Sequence, residues 1–330
     1  MGKNARSSNF ELLRIVAMFM IVLYHCLTEC MMADPSNRWV LSMYYLSHWG
    51  VPVFILLSGY FTIKLSVKRV VDFWLYCAIW MLLSYLFSFA VGNGEWHVVS
   101  LLQCLLPISI TNLWFVPFYF WLMLLSPLIN AGINGLSNRT LCITTIALLL
   151  FTLYTSLMWQ SPIVNNGKSV VYFITLYLMG ALIKRLRIIE KLDIKNIAIG
   201  GGILLFAVIA LTFIVPMAYQ KLLKGLVFFY VSPILLLSSV AVFLLFSKLK
   251  IQSRTINYIA SSCFAIYLFH ENHWTHDFFY GIVGMIIENY SGISQILIVI
   301  LYAAVLSMLV VVVDKLIREP LSKQVDRIIK

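Results

Sequence analysis

Long apolar runs, about twenty residues each, recur along the chain, separated by short connections that carry most of the Lys, Arg and Asn. A run of that length fits one helical passage through hydrocarbon. Ten passages are predicted, at about residues 10–30, 40–62, 71–91, 112–131, 141–159, 170–186, 196–216, 225–247, 256–275 and 293–317. The stretch 98–110 is apolar but too short to span, and reads as an interfacial or re-entrant piece ahead of the fourth passage. Residues 272–292 mix polar and apolar positions and are expected to hold a surface helix. The first run is longer than a signal-peptide core and has no small-residue cleavage site before Asp34, so we expect it to stay as a helix. No internal repeat, low-complexity tract or soluble block interrupts the pattern. The expected fold is an all-α polytopic membrane protein of about ten transmembrane helices, filling one domain over residues 1–330.

Composition agrees with the pattern. Hydrophobic residues make up 62% of the chain, charged residues 11%, and the mean hydropathy is +0.93, values that exclude an ordinary soluble domain of this length. A net charge of +11 raises nucleic acid as a partner, but the placement of the cations excludes it. With the N-terminus inside, all but Arg38, Lys168, Lys221 and Lys224 of the 24 Lys and Arg fall on the cytoplasmic side. This is the bias that orients membrane proteins, with both termini cytoplasmic and the protein multi-pass in the cell inner membrane. The six cysteines lie scattered in apolar segments and suggest neither a disulfide framework nor a zinc site.

Against this background a few polar residues stand out. Arg14 and His25 lie eleven positions apart in the first run, about three helical turns, so they share one face about 16 Å long. Ionisable groups inside hydrocarbon are costly and point to a protein interior, a watery cavity or function. His25 can take and return a proton near neutral pH. Glu29, one turn on, can orient its ring; the alternative is that both mark the outer interface. Arg14 pairs with Glu11 across one turn, and either snorkels to headgroups or faces an anionic ligand from the cytosol. Ser58 and Gly59 in the second passage allow close approach of another helix or of a slender ligand. Lys64, Lys68 and Arg69 follow at the cytoplasmic mouth, where they serve topology or hold phosphates. Asn112 and Trp114 sit near the outer surface, in an aromatic belt or at a sugar-binding mouth. His270, His273 and His276 cluster toward the outside, but no matching ligand motif accompanies them, so no metal is expected.

These residues carry a resemblance. The pair Arg14 and His25 as Arg-x10-His after Glu11, the string GVPVFILLSGYF at 50–61, LWFVPFYF at 113–120, IYLFH at 266–270 and Arg-Glu-Pro at 318–320 resemble, in that order, the membrane-bound acyltransferase family 3. Members of that family O-acetylate cell-surface polysaccharides and related glycans. One departure is visible: many polysaccharide acetyltransferases of the family carry Trp-Ser-Leu-x-x-Glu where this chain has Trp114 to Pro117 without the glutamate, which leaves the acceptor open. The resemblance implies an O-acetyltransferase that uses acetyl-CoA, with succinyl as the other donor group, and an extracytoplasmic glycan or lipid-linked saccharide as acceptor. It places the donor's phosphates at Lys68, Arg69 and Arg14, and its arm past Ser58 and Gly59. The acceptor lies near Asn112, Trp114 and His270, and His25 with Glu29 stands at the reacting centre. A transporter or flippase of lipid-linked saccharides is the competing class, since intramembrane charge fits that too.

Overall fold

The computed structural model describes residues 7–108, 113–158, 165–215 and 230–328. Among these the chain forms helices and no strand. In order they are α1 (Ser8–Ala33), α2 (Arg38–Leu46), α3 (Gly50–Phe61), α4 (Val67–Ala90), α5 (Val98–Leu105), α6 (Phe115–Gly135), α7 (Asn138–Met158) and α8 (Val170–Arg185). They continue with α9 (Ile188–Lys191), α10 (Ile194–Ile214), α11 (Pro233–Ser247), α12 (Arg254–Ala260), α13 (Cys263–His270), α14 (His273–Asn289) and α15 (Gly292–Val313). A π-turn, Asp314–Arg318, leads into α16 (Glu319–Ile328).

Seven stretches among the described residues are long and apolar enough to cross a membrane: Ser8–Ala33, Arg38–Phe61, Val67–Ala90, Phe115–Gly135, Asn138–Ser156, Ile194–Ile214 and Gly292–Ser322. The other three predicted passages coincide with α8 and α11, which are shorter, and with α12–α13, which is broken. Part of the eighth, residues 225–229, lies outside the described residues. The short apolar stretch after residue 98 is α5, and the mixed stretch after 272 is α14.

The predicted second passage is interrupted between α2 and α3 for a local reason. Pro52 has no amide hydrogen to give the carbonyl one turn back, so the ladder cannot continue through it. At the break the bonding is rerouted: the His48 amide donates to the Tyr45 carbonyl, and the Tyr44 carbonyl accepts from Ser47 Oγ at 2.7 Å and from His48 Nδ1 at 3.0 Å.

α3 packs against α8 through two glycines. A Cβ on Gly59 would lie 2.0 Å from the Tyr177 carbonyl oxygen, and one on Gly180 would lie 2.2 Å from that of Leu56. Backbones this close need residues without side chains, and they gain dispersion contacts that lipid tails cannot match. A hydrogen-bonded chain fixes the end of this pair. Tyr177 Oη donates to Asn130 Oδ1 at 2.8 Å and accepts from the Ile63 amide at 2.9 Å, while Asn130 Nδ2 donates to the Ile63 carbonyl at 2.8 Å.

The second tie is a buried carboxylate. Asp314 is fully buried and accepts from Trp80 Nε1 at 2.8 Å, Ser262 Oγ at 2.6 Å, Arg318 Nε at 2.8 Å and Arg318 Nη2 at 2.5 Å. Its four lone-pair directions are thereby used, which is the condition for holding a charge inside low dielectric. One side chain of the π-turn thus ties that turn to α4 and to the turn before α13.

The glycine crossing makes a direct test. Gly59→Ala and Gly180→Ala should each lower stability by about 1–3 kcal/mol, the usual cost of overpacking, and Gly132→Ala, with open space around it, should not. Thermal unfolding of the detergent-solubilised protein, followed by tryptophan fluorescence, reads the difference; equal midpoints for all three would refute the close crossing.

Candidate functional site

α1 and α12–α13 run side by side in fixed register. Near the end of the molecule that carries most of the described cations, Ser8 Oγ donates to the Ser253 carbonyl at 3.3 Å and accepts from the Ser253 amide at 3.0 Å. The same separation of 245 residues recurs deeper in, where His25 Nδ1 meets His270 Nε2 at 2.9 Å. The two segments therefore advance together and deliver one imidazole each to the same depth.

The hydrogens on this pair follow from its partners. His270 Nδ1 lies 2.6 Å from the Ile266 carbonyl, which can only accept, so Nδ1 carries a hydrogen. His270 Nε2 is then the acceptor in the neutral ring, and His25 Nδ1 donates to it. Glu271 Oε1 lies 3.3 Å from the same His25 nitrogen. Tyr280 Oη fixes the carboxylate by donating to Oε1 at 2.8 Å. With Nδ1 committed, Nε2 of His25 keeps its lone pair. His25 borders a cavity of about 30 Å³, walled by Trp114, Phe115, Tyr230, Phe264 and Tyr267. That volume holds one water-sized group.

Tyr267 adds a donor to the same cavity. Its hydroxyl accepts from the Phe115 amide at 3.2 Å, which leaves its own hydrogen to point elsewhere. Below the cavity, the α1 face that carries Arg14, Met18, Ile21 and His25 looks onto aromatic rings. Phe73 stacks on Phe264 at 5.7 Å and packs on Tyr119 at 5.8 Å, and the Arg14 guanidinium sits 5.8 Å from the centre of the Phe61 ring. Ser58 joins this wall, with Oγ donating to the Phe54 carbonyl at 2.9 Å and lying 3.3 Å from Tyr119 Oη.

The structure brings some of the sequence candidates together and separates others. His25 and Trp114 line one cavity, and Lys168 holds its ammonium 5.3 Å from the Trp114 ring centre. Arg14 keeps its Glu11 partner at 2.5 Å and remains about a third exposed. The acidic neighbour of His25 is Glu271 rather than Glu29, because α13 brings residue 271 to the ring, while residue 29 lies one turn further along α1. Gly59 faces the α8 backbone and not the passage; Ser58, the residue before it, is the one turned to Tyr119. His270 is fully buried with both nitrogens engaged, so it orients His25 and offers no nitrogen to an acceptor. Lys68 and Arg69 are exposed on the first turn of α4, Lys68 at 3.2 Å from Asp72 and Arg69 on the Lys64 carbonyl. Asn112 lies outside the described residues.

Tyr267 was not singled out from sequence, and Glu271, noted there beside His270 toward the outer end of the ninth passage, was given no role. Both flank His270 in the string 266–270 and its next residue, and helical spacing alone does not say which side of α13 faces α1. His25, His270 and Glu271 are also close enough, within 4.8 Å, to hold a metal ion. A metal at this point would have to displace the hydrogen that joins the two rings.

Residues 7–313 match the family model of acyltransferase 3, described as an acyltransferase domain. No curated protein and no solved structure matches the chain.

The inferred tautomers are measurable. Nitrogen-15 spectra of histidine-labelled protein should show His25 and His270 both protonated at Nδ1 near neutral pH, and His270→Ala should shift the His25 resonances. Finding His25 protonated at Nε2 instead would remove its lone pair from the cavity and with it the site described here.

Proposed function

The chain belongs to the acyltransferase 3 family, and we propose from that premise that it transfers an acyl group, acetyl in the first place, from cytosolic acyl-CoA to a hydroxyl of a glycan or lipid-linked saccharide. It is a multi-pass membrane acyltransferase domain. The remainder of the reading rests on one observation: an imidazole, 2.9 Å from a second imidazole and 3.3 Å from a carboxylate at its Nδ1, borders a small cavity lined by aromatic rings.

The end bearing Ser8, Arg14 and Arg254 is taken as cytoplasmic, as the cation bias indicates. Acyl-CoA approaches from there, with Arg14 near its phosphates and its arm along the face of Met18, Ile21 and Ser58. The acceptor arrives from the opposite side past Trp114, whose indole stacks on a sugar ring, and Lys168 stands beside it. The membrane in question is the cell inner membrane, where cytosolic thioester and extracytoplasmic glycan face each other.

In the reaction, His25 Nε2 takes the hydroxyl proton as the acceptor oxygen attacks the thioester carbonyl. The imidazolium charge is balanced by Glu271, 3.3 Å from Nδ1. The carbonyl oxygen, now negative, accepts a hydrogen bond from the free hydrogen of Tyr267, in surroundings from which water is excluded. The tetrahedral intermediate collapses with cleavage of the carbon–sulfur bond. The leaving thiolate takes the proton from His25, so the products are the O-acyl glycan and CoA, and the histidine returns to neutral. His270 contacts no reacting atom and acts as a positioning residue. The cavity is only one water wide, so Phe115 or Phe264 must rotate for the thioester to arrive. Closure of those rings around the reacting atoms then excludes water.

A histidine base contributes about 10²–10⁴-fold to rate. His25→Ala should lose that much transfer while inserting and folding normally, and Tyr267→Phe should reduce kcat about 10²-fold with little change in KM. The assay uses proteoliposomes with labelled acetyl-CoA on one side and glycan on the other. Wild-type transfer in His25→Ala would eliminate the base; passage of unmodified glycan across the bilayer, with no label on it, would replace the enzyme by a flippase.

A further inference from the structure

We propose that the Tyr230 hydroxyl binds a second hydroxyl of the acceptor, the neighbour of the one that is acylated, and so sets which alcohols the protein uses. This inference rests on the acyl-transfer reading above and names a feature of its acceptor. Neither the sequence pattern nor the transfer steps assign Tyr230 a role.

Tyr230 lines the same cavity of about 30 Å³ as His25 and Tyr267. Among the described residues its hydroxyl makes no hydrogen bond; the residue is engaged through its backbone, where Tyr172 Oη donates to the Tyr230 carbonyl. An enclosed hydroxyl without partners is costly, and the hydroxyl of a ligand can both give and take the missing bond. The groups that face the Tyr230 hydroxyl are those of the site itself, Tyr24, Tyr44, Glu271 and Tyr267. They have partners of their own: the Tyr24 and Tyr44 hydroxyls lie 3.5 Å apart, Glu271 accepts from Tyr280, and Tyr267 accepts from the Phe115 amide.

The ring is held in place from several sides. Gly167 has a φ of +94°, and a Cβ there would lie 2.5 Å from Tyr230 Cβ, so the turn presses on Tyr230 at a position suited to glycine. Lys168, the next residue, lies over Trp114, whose ring centre is 5.8 Å from that of Tyr230. The His48 ring is 5.9 Å away on Tyr230 and packs in turn on Tyr24 at 4.1 Å. A hydroxyl on so fixed a ring meets a ligand with little further loss of side-chain freedom.

Its position suits the acceptor rather than the donor. Tyr230 stands just before α11, and the last turn of that helix lies against the start of α1, where Asn9 Nδ2 donates to the Phe246 carbonyl at 3.1 Å. The 15 residues of α11 put Tyr230 about 22 Å from that cation-rich end, on the side of Trp114. Because the void is one group wide, a hydroxyl on Tyr230 and another on His25 belong to neighbouring atoms of the acceptor, as on a sugar ring. A site that hydrogen-bonds a substrate hydroxyl rejects analogues that lack it.

The test uses the full-length chain purified in detergent, labelled acetyl-CoA and two acceptor probes: the glycan fraction from cells that lack this chain, and the pair propane-1,2-diol and propan-1-ol. Tyr230→Phe keeps the ring, so its thermal midpoint should match the wild type. It should raise KM for the glycan about tenfold, the effect of one lost hydrogen bond, and leave KM for acetyl-CoA unchanged. The wild type should acylate the diol about tenfold faster than propan-1-ol, and the variant should acylate the two alike. An unchanged glycan KM, or a diol preference that survives in the variant, would overturn the proposal. So would an equal rise in KM for acetyl-CoA, since Tyr230 would then serve the donor or the fold. If the wild type acylates neither alcohol, the two KM values decide. If it acylates no probe at all, the transfer reading fails and takes this inference with it.

Discussion

One hydrogen shared between two imidazoles governs this molecule. A lone histidine in hydrocarbon loses its hydration and gains nothing in return. His25 avoids that because α13 delivers His270 to it at 2.9 Å, and His270 is in turn anchored to its own helix through the Ile266 carbonyl. The chain of donors has a single direction, from His25 to His270, and from His270 to the backbone. That direction decides which nitrogen faces the cavity. Everything that fixes α13 against α1 therefore bears on the state of one proton, including the serine pair at the cation-rich end and the Asp314 cluster that holds the turn before α13. Stability and reactivity are here the same set of contacts.

Much of the architecture was legible in the sequence, because a membrane imposes a long apolar period that few other structures require. The helical face joining Arg14 to His25 also followed from 3.6 residues per turn. The helix break at Ser47–Trp49 had a signal in Pro52, but the stretch reads apolar throughout and hydropathy does not register a missing amide hydrogen. The pairing of His25 with Glu271 was out of reach, since it depends on the rotation of α13 about its own axis. Glu29 was favoured by local spacing; tertiary packing supplied a different acid. The same reason explains Gly59: a small residue signals close approach, and only the fold says whether a helix or a ligand comes close.

Two cationic regions near the cation-rich end of the molecule are built differently. Arg14 is tied to one carboxylate within its own helix, lies 5.8 Å from the Phe61 ring centre and keeps about a third of its side chain exposed. Arg318 and Lys315 are locked by acids in their own turn and by tyrosine faces, Arg318 at 4.2 Å from the Tyr76 ring centre. The first arrangement suits a passing ligand and the second a rigid frame. The π-turn at 314–318 carries both partners of that frame: Asp314 and Arg318 stand four residues apart, so they meet on one side, where the carboxylate is buried and the guanidinium caps it.

The narrowness of the His25 cavity has a bearing on the cell as a whole. A column of hydrogen-bonded water through a membrane conducts protons and dissipates the ion gradient on which the cell runs. A void of about 30 Å³ beside His25, lined largely by aromatic rings, has room for a single water. An ionisable ring is thereby set where any continuous file of water would have to thread bulky apolar side chains.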